Sequence, residues 1–129
     1  MAKPRSSGSA VLDATAILAI LVGEPGSERL LPLLRNAAVS AVSLSEVYGY
    51  LLRRGVKSDL AWKNLQDLGI EICAFDAQQA RTAAELPGPA LPLGDRACLA
   101  LAIERQATVY TTDEAWKELD LEVDVQVVR

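Results

Sequence analysis

The sequence contains no histidine. That excludes a Ser-His-Asp triad, zinc sites built on imidazole, and a histidine general base. Cysteine is nearly as scarce: Cys73 and Cys98 stand far apart in apolar contexts and form no CxxC pair, so buried thiols are expected rather than a disulfide or a zinc knuckle. Aromatic residues make up only 5% of the chain. Those present, Tyr48, Tyr50, Trp62, Phe75, Tyr110 and Trp116, mostly fall inside apolar patterns as core candidates, which disfavours a binder built on base stacking. The longest apolar run, Ala14 to Val22, is about half the length of a membrane span. Positive charge is also in deficit. A formal net charge of −4 argues against a domain that coats nucleic acid through a broad basic face. It leaves room for an enzyme whose substrate contacts come from a few local cations, with Arg53, Arg54, Lys57, Arg96 and Lys117 as candidates.

At 129 residues, half of them apolar and 23% charged, the chain fits one globular domain with a sizeable core. Residues 1–9 are polar and cationic with no apolar stretch of the signal-peptide kind. They are expected to form a disordered tail before a single domain spanning 10–129, and the protein is expected in the cytoplasm.

Strand and helix patterns alternate along that domain. Ala10 to Leu12 reads as a short buried strand and Ala14 to Val22 as an apolar helix ended by Gly23 to Gly26. Ser27 is a plausible cap for a helix over Glu28 to Asn36, with Leu30, Leu31, Leu33 and Leu34 as its apolar face. Ala37 to Val42 is a second strand. Ser43-Leu44-Ser45-Glu46 has the spacing of a capping box opening a helix to about Arg54, and Lys57 to Leu68 continues with Leu60, Trp62, Leu65 and Leu68 on its buried side. Ile70 to Phe75 is a third strand, and Asp76 caps a helix through Leu86. After a Pro/Gly-rich loop a helix runs from Asp95 to about Gln106, followed by a strand at Thr108 to Thr111, a short helix at Asp113 to Leu119, and a fifth strand at Val123 to Val128. Strands separated by helices imply a parallel sheet covered on both faces.

Four carboxylates hold the chemical interest. Asp13 follows the first strand, Glu46 lies about a turn into the helix after the second, Asp95 opens its helix, and Asp113 follows the fourth strand. In an open parallel sheet the carboxyl ends of the strands line one crevice, so these acids can meet there. Like charges at close range need a proton or a cation between them, and hard oxygen donors suit Mg²⁺ or Mn²⁺. Thr15 adds a hydroxyl to the same rim. Taken singly, each acid has a plainer reading. Asp13, Asp95 and Asp113 could each cap a helix, and Glu46 could complete the capping box or face solvent. Their joint placement favours a metal-dependent phosphodiesterase.

The segments Val11-Leu12-Asp13-Ala14-Thr15-Ala16, Val39 to Val47 around Glu46, Leu93 to Ala102 around Asp95, and Val109-Tyr110-Thr111-Thr112-Asp113 together resemble the PIN domain, in particular the VapC-type toxin ribonucleases of toxin–antitoxin pairs. The resemblance runs from Val11 to Val128. It implies a three-layer α/β/α sandwich around a mainly parallel five-stranded sheet. It carries catalysis and Mg²⁺ or Mn²⁺ binding onto Asp13, Glu46, Asp95 and Asp113, with Thr15, Ser40 and Thr112 as polar support. It further implies RNA as substrate, cut to leave 5′-phosphate and 3′-hydroxyl ends, a cognate antitoxin, and a homodimer using apolar positions on the helices between Leu44 and Leu68. Arg96 stands beside the third acid where many relatives carry a small residue, which puts the local charge balance in question.

Other readings fare worse. A signalling receiver domain needs adjacent acids after its first strand, whereas Asp13 stands alone; an aspartate-nucleophile phosphatase needs a second Asp where this chain has Thr15; and no GxxxxGK[ST] loop occurs. An RNA-processing nuclease outside any toxin pair, or a non-catalytic binding module of the same fold, stays open as an alternative.

Overall fold

In the computed structural model, which describes residues 9–88, 90–118, 120 and 122–128, five short strands form one sheet in the order β3-β2-β1-β4-β5. The strands are β1 (Ala10–Leu12), β2 (Ala37–Ser40), β3 (Glu71–Cys73), β4 (Thr108–Thr111) and β5 (Val125–Val127). Every neighbouring pair is parallel, with Val11 opposite both Ala38 and Val109. The helices are α1 (Ala14–Val22), α2 (Ala41–Arg53), α3 (Ser58–Asp67), α4 (Ala77–Glu85) and α5 (Leu93–Arg105).

Period-two alternation along the strands divides the apolar residues between two cores. Ala10, Leu12, Ala37 and Val39 pack with Ile17 of α1, Val47 and Leu51 of α2, and Leu65 of α3. Val11, Ala38 and Val109 point the other way, to Cys98, Leu99, Leu101 and Ala102 of α5 and to Trp116. A three-layer sandwich follows. The chain lays β1, β2 and β3 outward on one side, then returns to place β4 and β5 on the other. The switch point of the sheet therefore lies between the carboxyl ends of β1 and β4, where ligands of open α/β sheets bind.

Several boundaries differ from the sequence expectation. The segment after Ser27 forms two 3-10 turns, Ser27–Arg29 and Leu31–Asn36; Pro32 has no amide hydrogen for an α-helical ladder, and Leu31 is exposed. Strand β2 stops at Ser40, whose hydroxyl accepts from the Val42 amide and caps α2. Ser43 is therefore inside the helix and buried, not its cap. Helix α3 buries Ala61 and Leu65 and leaves Leu60 and Trp62 exposed, because Leu60 and Trp62 flank the buried stripe rather than share it. Helix α5 starts at Leu93, two residues before Asp95, and Asp113 precedes a 3-10 turn at Glu114–Glu118. The end of that expected helix, Leu119, and the expected tail over residues 1–8 lie outside the described residues; Ser9 is buried, its carbonyl accepting from the Thr108 amide. Asp76 caps α4 by accepting from the Gln79 amide, and both cysteines are free and buried.

Candidate active site: an acidic cleft at the sheet switch point

Asp13 is the fixed member of the site. It leaves the end of β1 and caps α1, with Oδ1 accepting from the Ala16 amide at 2.8 Å and from the Thr15 hydroxyl at 2.7 Å. Its Oδ2 accepts from the Thr111 hydroxyl, which is fully buried at the end of β4. Thr15 in turn receives the Thr112 amide at 3.1 Å. Capping and site geometry thus coincide at Asp13: the interactions that cap α1 also fix the carboxylate where β1 and β4 separate. Of the three hydroxyl residues that the resemblance named, Thr15 hydrogen-bonds to Asp13. The partner hydroxyl on β4, however, belongs to Thr111 rather than Thr112, because alternation turns 109 and 111 to the same side of the strand. Ser40 is occupied in capping α2.

Glu46 belongs to the second turn of α2, and its carboxylate lies against Gly94 in the first turn of α5; a Cβ at position 94 would overlap it. The side chain caps nothing and is exposed at the rim of the cleft, its carboxylate turned toward α5. Asp95 follows in α5 and caps nothing, since the helix begins from Pro92. Asp113 accepts from the Ala115 amide at 3.0 Å, capping the 3-10 turn, while its own amide bonds to Thr111 Oγ1 at 3.0 Å.

The acids feel one another. Burial raises the Asp13 pKa against the lowering effect of its three hydrogen bonds, and the charge of Asp113 raises it further. Glu46 is raised by burial and by Asp13. Asp95 is pushed up to about 6, first by burial and then by Asp13, Asp113 and Glu46. No cation contributes to any of these shifts. The fully buried Cys98 thiol behind them is driven well up, by burial and by the same acids. The cleft of about 270 Å³ in front of the acids is lined by Asp13, Thr15, Ser43, Glu46, Tyr50, Arg53, Gly94 and Asp95. A larger hollow of about 490 Å³, bounded by Gln106, Thr108 and Asp124, lies at the amino ends of β4 and β5 and contains none of the four.

In these side-chain positions no group of three acidic or cysteine side chains among the described residues is arranged to hold a metal ion. The donor set itself fits a hard divalent cation: it is all oxygen, it has an internal repulsion to relieve, and no ion pair among the described residues relieves it.

Arg96 has a structural task. Its guanidinium donates to the carbonyls of Leu91 (3.0 Å), Ala83 (2.9 Å), Leu86 (3.0 Å) and Gly88 (2.6 Å), tying the end of α4 and the following loop to the start of α5. It is thus committed to backbone carbonyls and is not a substrate contact. Of the cations named from the sequence as candidate substrate contacts, Arg53 lines the cleft. Ser43, Tyr50 and Gly94 escaped the sequence reading as cleft residues, and helical spacing could have found Tyr50, which follows Glu46 by four residues.

Fold and site define an open parallel α/β protein with an acidic cleft at its switch point. A family model of the PIN domain matches residues 10–122. The chain belongs to that family. Among curated relatives, Ribonuclease VapC42 of Mycobacterium tuberculosis is 38% identical over 80 residues, and the match covers 58% of this chain and 61% of that protein. The toxin–antitoxin complex from Klebsiella pneumoniae shares the fold at a TM-score of 0.72 and 18% identity, covering 86% of this chain and 92% of that one. The sarcin-ricin loop cleaving toxin VapC20 of Mycobacterium tuberculosis does so at a TM-score of 0.69 and 16% identity, covering 84% and 93%.

Proposed function

We propose that this chain is a divalent-metal-dependent endoribonuclease and the toxin of a toxin–antitoxin pair. The observation that carries the reading is the gathering of Asp13, Glu46 and Asp95 around one cleft at the switch point, with Asp113 joined to Asp13 through the Thr111 hydroxyl. The name of the mycobacterial relative supports the ribonuclease activity, and that of the Klebsiella complex supports the toxin assignment.

These four acids would hold Mg²⁺ or Mn²⁺. Bound there, such an ion would lower the pKa of a water and offset negative charge on the phosphate. The protein's own part is positioning. Thr15, Thr111 and the Ala16 amide fix the Asp13 carboxylate in one orientation, using up the hydrogen-bonding freedom that would otherwise let it turn. Glu46 is held from behind by the close approach of α2 to α5 at Gly94. Asp95 comes from α5 and Asp113 from the residues after β4, and their negative charge makes the cleft unfavourable to a phosphate unless a cation offsets it.

The partners follow from the same surface. A small antitoxin offering a basic side chain to the acids would block the site by charge complementarity. Exposed Leu52, Leu60 and Trp62 on α2 and α3 provide an apolar face for a second copy of the chain. No helix among the described residues is long and apolar enough to cross a membrane. The reading is tested by incubating the full chain with single-stranded RNA, structured RNA and DNA in the presence of Mg²⁺. RNA cleaved by the parent and left intact by Asp13→Asn supports it; RNA left intact by both overturns it.

A further inference from the structure

Helix α2 carries more than Glu46 to the cleft. Tyr50 and Arg53 follow on the same helix face at spacings of four and three and line the same hollow as Asp13 and Asp95. A cation is thus delivered to the mouth of an otherwise acidic cleft.

Its seat is built into the sequence. Gly49 sits in the middle of α2 and is not among the glycines with positive φ, so its backbone does not call for glycine. A Cβ there would come within 3.1 Å of Arg53 Nη1: the guanidinium folds back over the bare helix surface, toward the end of the helix that carries Glu46. Glycine is a poor residue in a helix interior, and here its bare surface leaves room for the flexible end of Arg53.

The guanidinium is also uncommitted. Among the described residues Lys63 pairs with Asp67, Arg81 with Glu85, Arg105 with Glu71 and Lys117 with Glu114. Arg96 is spent on carbonyls, and Arg54 lies over the Tyr50 ring at 4.7 Å. Arg53 makes no ion pair among the described residues, although it shares the cleft with three carboxylates. It is therefore not the counter-ion of the acids. A planar fork of donors beside an acidic centre, in a chain of net charge −4, matches a phosphate oxygen pair of a nucleic-acid strand.

We propose that Arg53, seated over Gly49, is the positioning residue that grips a backbone phosphate of the RNA next to the bond to be cut. The proposal rests on reading the cleft as an RNA-cleaving site. Arg53 acts in binding, outside the bond-breaking step, and holds the strand against the electrostatic repulsion of the four acids.

The test is initial-rate kinetics of the full chain on a random-sequence pool of single-stranded RNA with Mg²⁺, at several salt concentrations. Parent, Asp13→Asn, Arg53→Ala, Arg53→Lys and the remote charge control Arg81→Ala are compared. Arg53→Ala is expected to raise KM about ten-fold with kcat nearly unchanged, and to reduce the salt slope of binding by about 0.7, the loss of one phosphate contact to a single strand. Arg53→Lys recovers most of the KM, and Arg81→Ala behaves as the parent. A parent that cleaves no RNA overturns the nuclease reading and Arg53's role with it. A parent that cleaves, beside an Arg53→Ala variant with unchanged KM and salt slope, overturns the Arg53 assignment alone. So does an Arg53→Ala variant impaired only in kcat, or one matched by Arg81→Ala. Weakened binding of an acidic partner protein with RNA kinetics intact would likewise overturn it.

Discussion

The Glu46 carboxylate occupies the volume that a side chain at position 94 would fill. Two helices from opposite sides of the sheet meet at this point, so an acid on α2 reaches the cleft only because α5 presents a bare backbone to it. Gly94 is buried in the first turn of α5, where alanine is otherwise the better helix former.

Gly94→Ala should therefore separate folding from function. The variant is expected to retain the helical circular-dichroism signal while RNA cleavage falls by an order of magnitude or more, through displacement of Glu46. Unchanged cleavage would mean that the position of Glu46 does not matter to the reaction.

Asp13→Asn and Asp95→Asn each keep the shape of the side chain and delete a charge. In Asp13→Asn the new amide oxygen can still cap α1, and the Thr111 hydroxyl can turn to accept from the new NH₂, so thermal unfolding should shift little. Cleavage should fall below detection in both variants, and metal titration should show weakened binding. Asp13→Ala, which deletes the cap as well, should lose a further ~1 kcal/mol of stability.

Proton linkage gives a direction for stability. Folding raises the Asp95 pKa from 3.8 to about 6, so its stabilising contribution is complete below 3.8 and is lost as pH rises through about 6. Asp13 and Glu46 are shifted in the same sense. The chelated protein should melt at a higher temperature near pH 5 than near pH 7.5, with the part due to half-buried Asp95 of order 1 kcal/mol after allowance for solvent screening. Mg²⁺ should narrow the difference and release protons on binding near pH 6, measurable by calorimetry in buffers of different ionisation enthalpy. Asp95→Asn should flatten the profile; a profile identical to the parent's would remove Asp95 from the coupled set.

Arg96 offers a contrast, a charge beside the site that serves the fold. Removing it leaves four backbone carbonyls without their shared donor. Arg96→Ala is expected to lower stability by ~2–4 kcal/mol, and Arg96→Lys to recover only part of that, since a point charge cannot span the fork. Chemical denaturation measures both, and a change within about 0.5 kcal/mol for Arg96→Ala would discount the network.

Much of the architecture was legible because it follows from local rules. Val11 and Val109 alternate with their neighbours, Asp76 stands at a helix start, and the helices between strands force parallel pairing. What escaped the sequence depends on contacts between distant segments. The opening of α2 reads from Ser43, a capping type; the β2 ladder ends earlier and puts the cap at Ser40. Trp62 looked like core because it is large and apolar; its exposure follows from the rotation of α3 on the sheet, which Ala61 and Leu65 set. At the site, Asp13 and Asp113 were visible as acids after strands flanking a switch point. The hydroxyl that holds Asp13 from β4 required knowing which of two adjacent threonines faces inward. The seat of Glu46 required knowing that Gly94, nearly fifty residues away, closes on it from another helix.

The four carboxylates are proposed to act through a hard divalent cation. Cleavage of single-stranded RNA by the full chain, followed with Mg²⁺ or Mn²⁺ and again after exhaustive treatment with EDTA, tests this most directly. Activity should appear with either ion, vanish on chelation and return on adding Mg²⁺ back, with Zn²⁺ failing to replace it. Cleavage that persists at the original rate in the chelated protein would contradict the account.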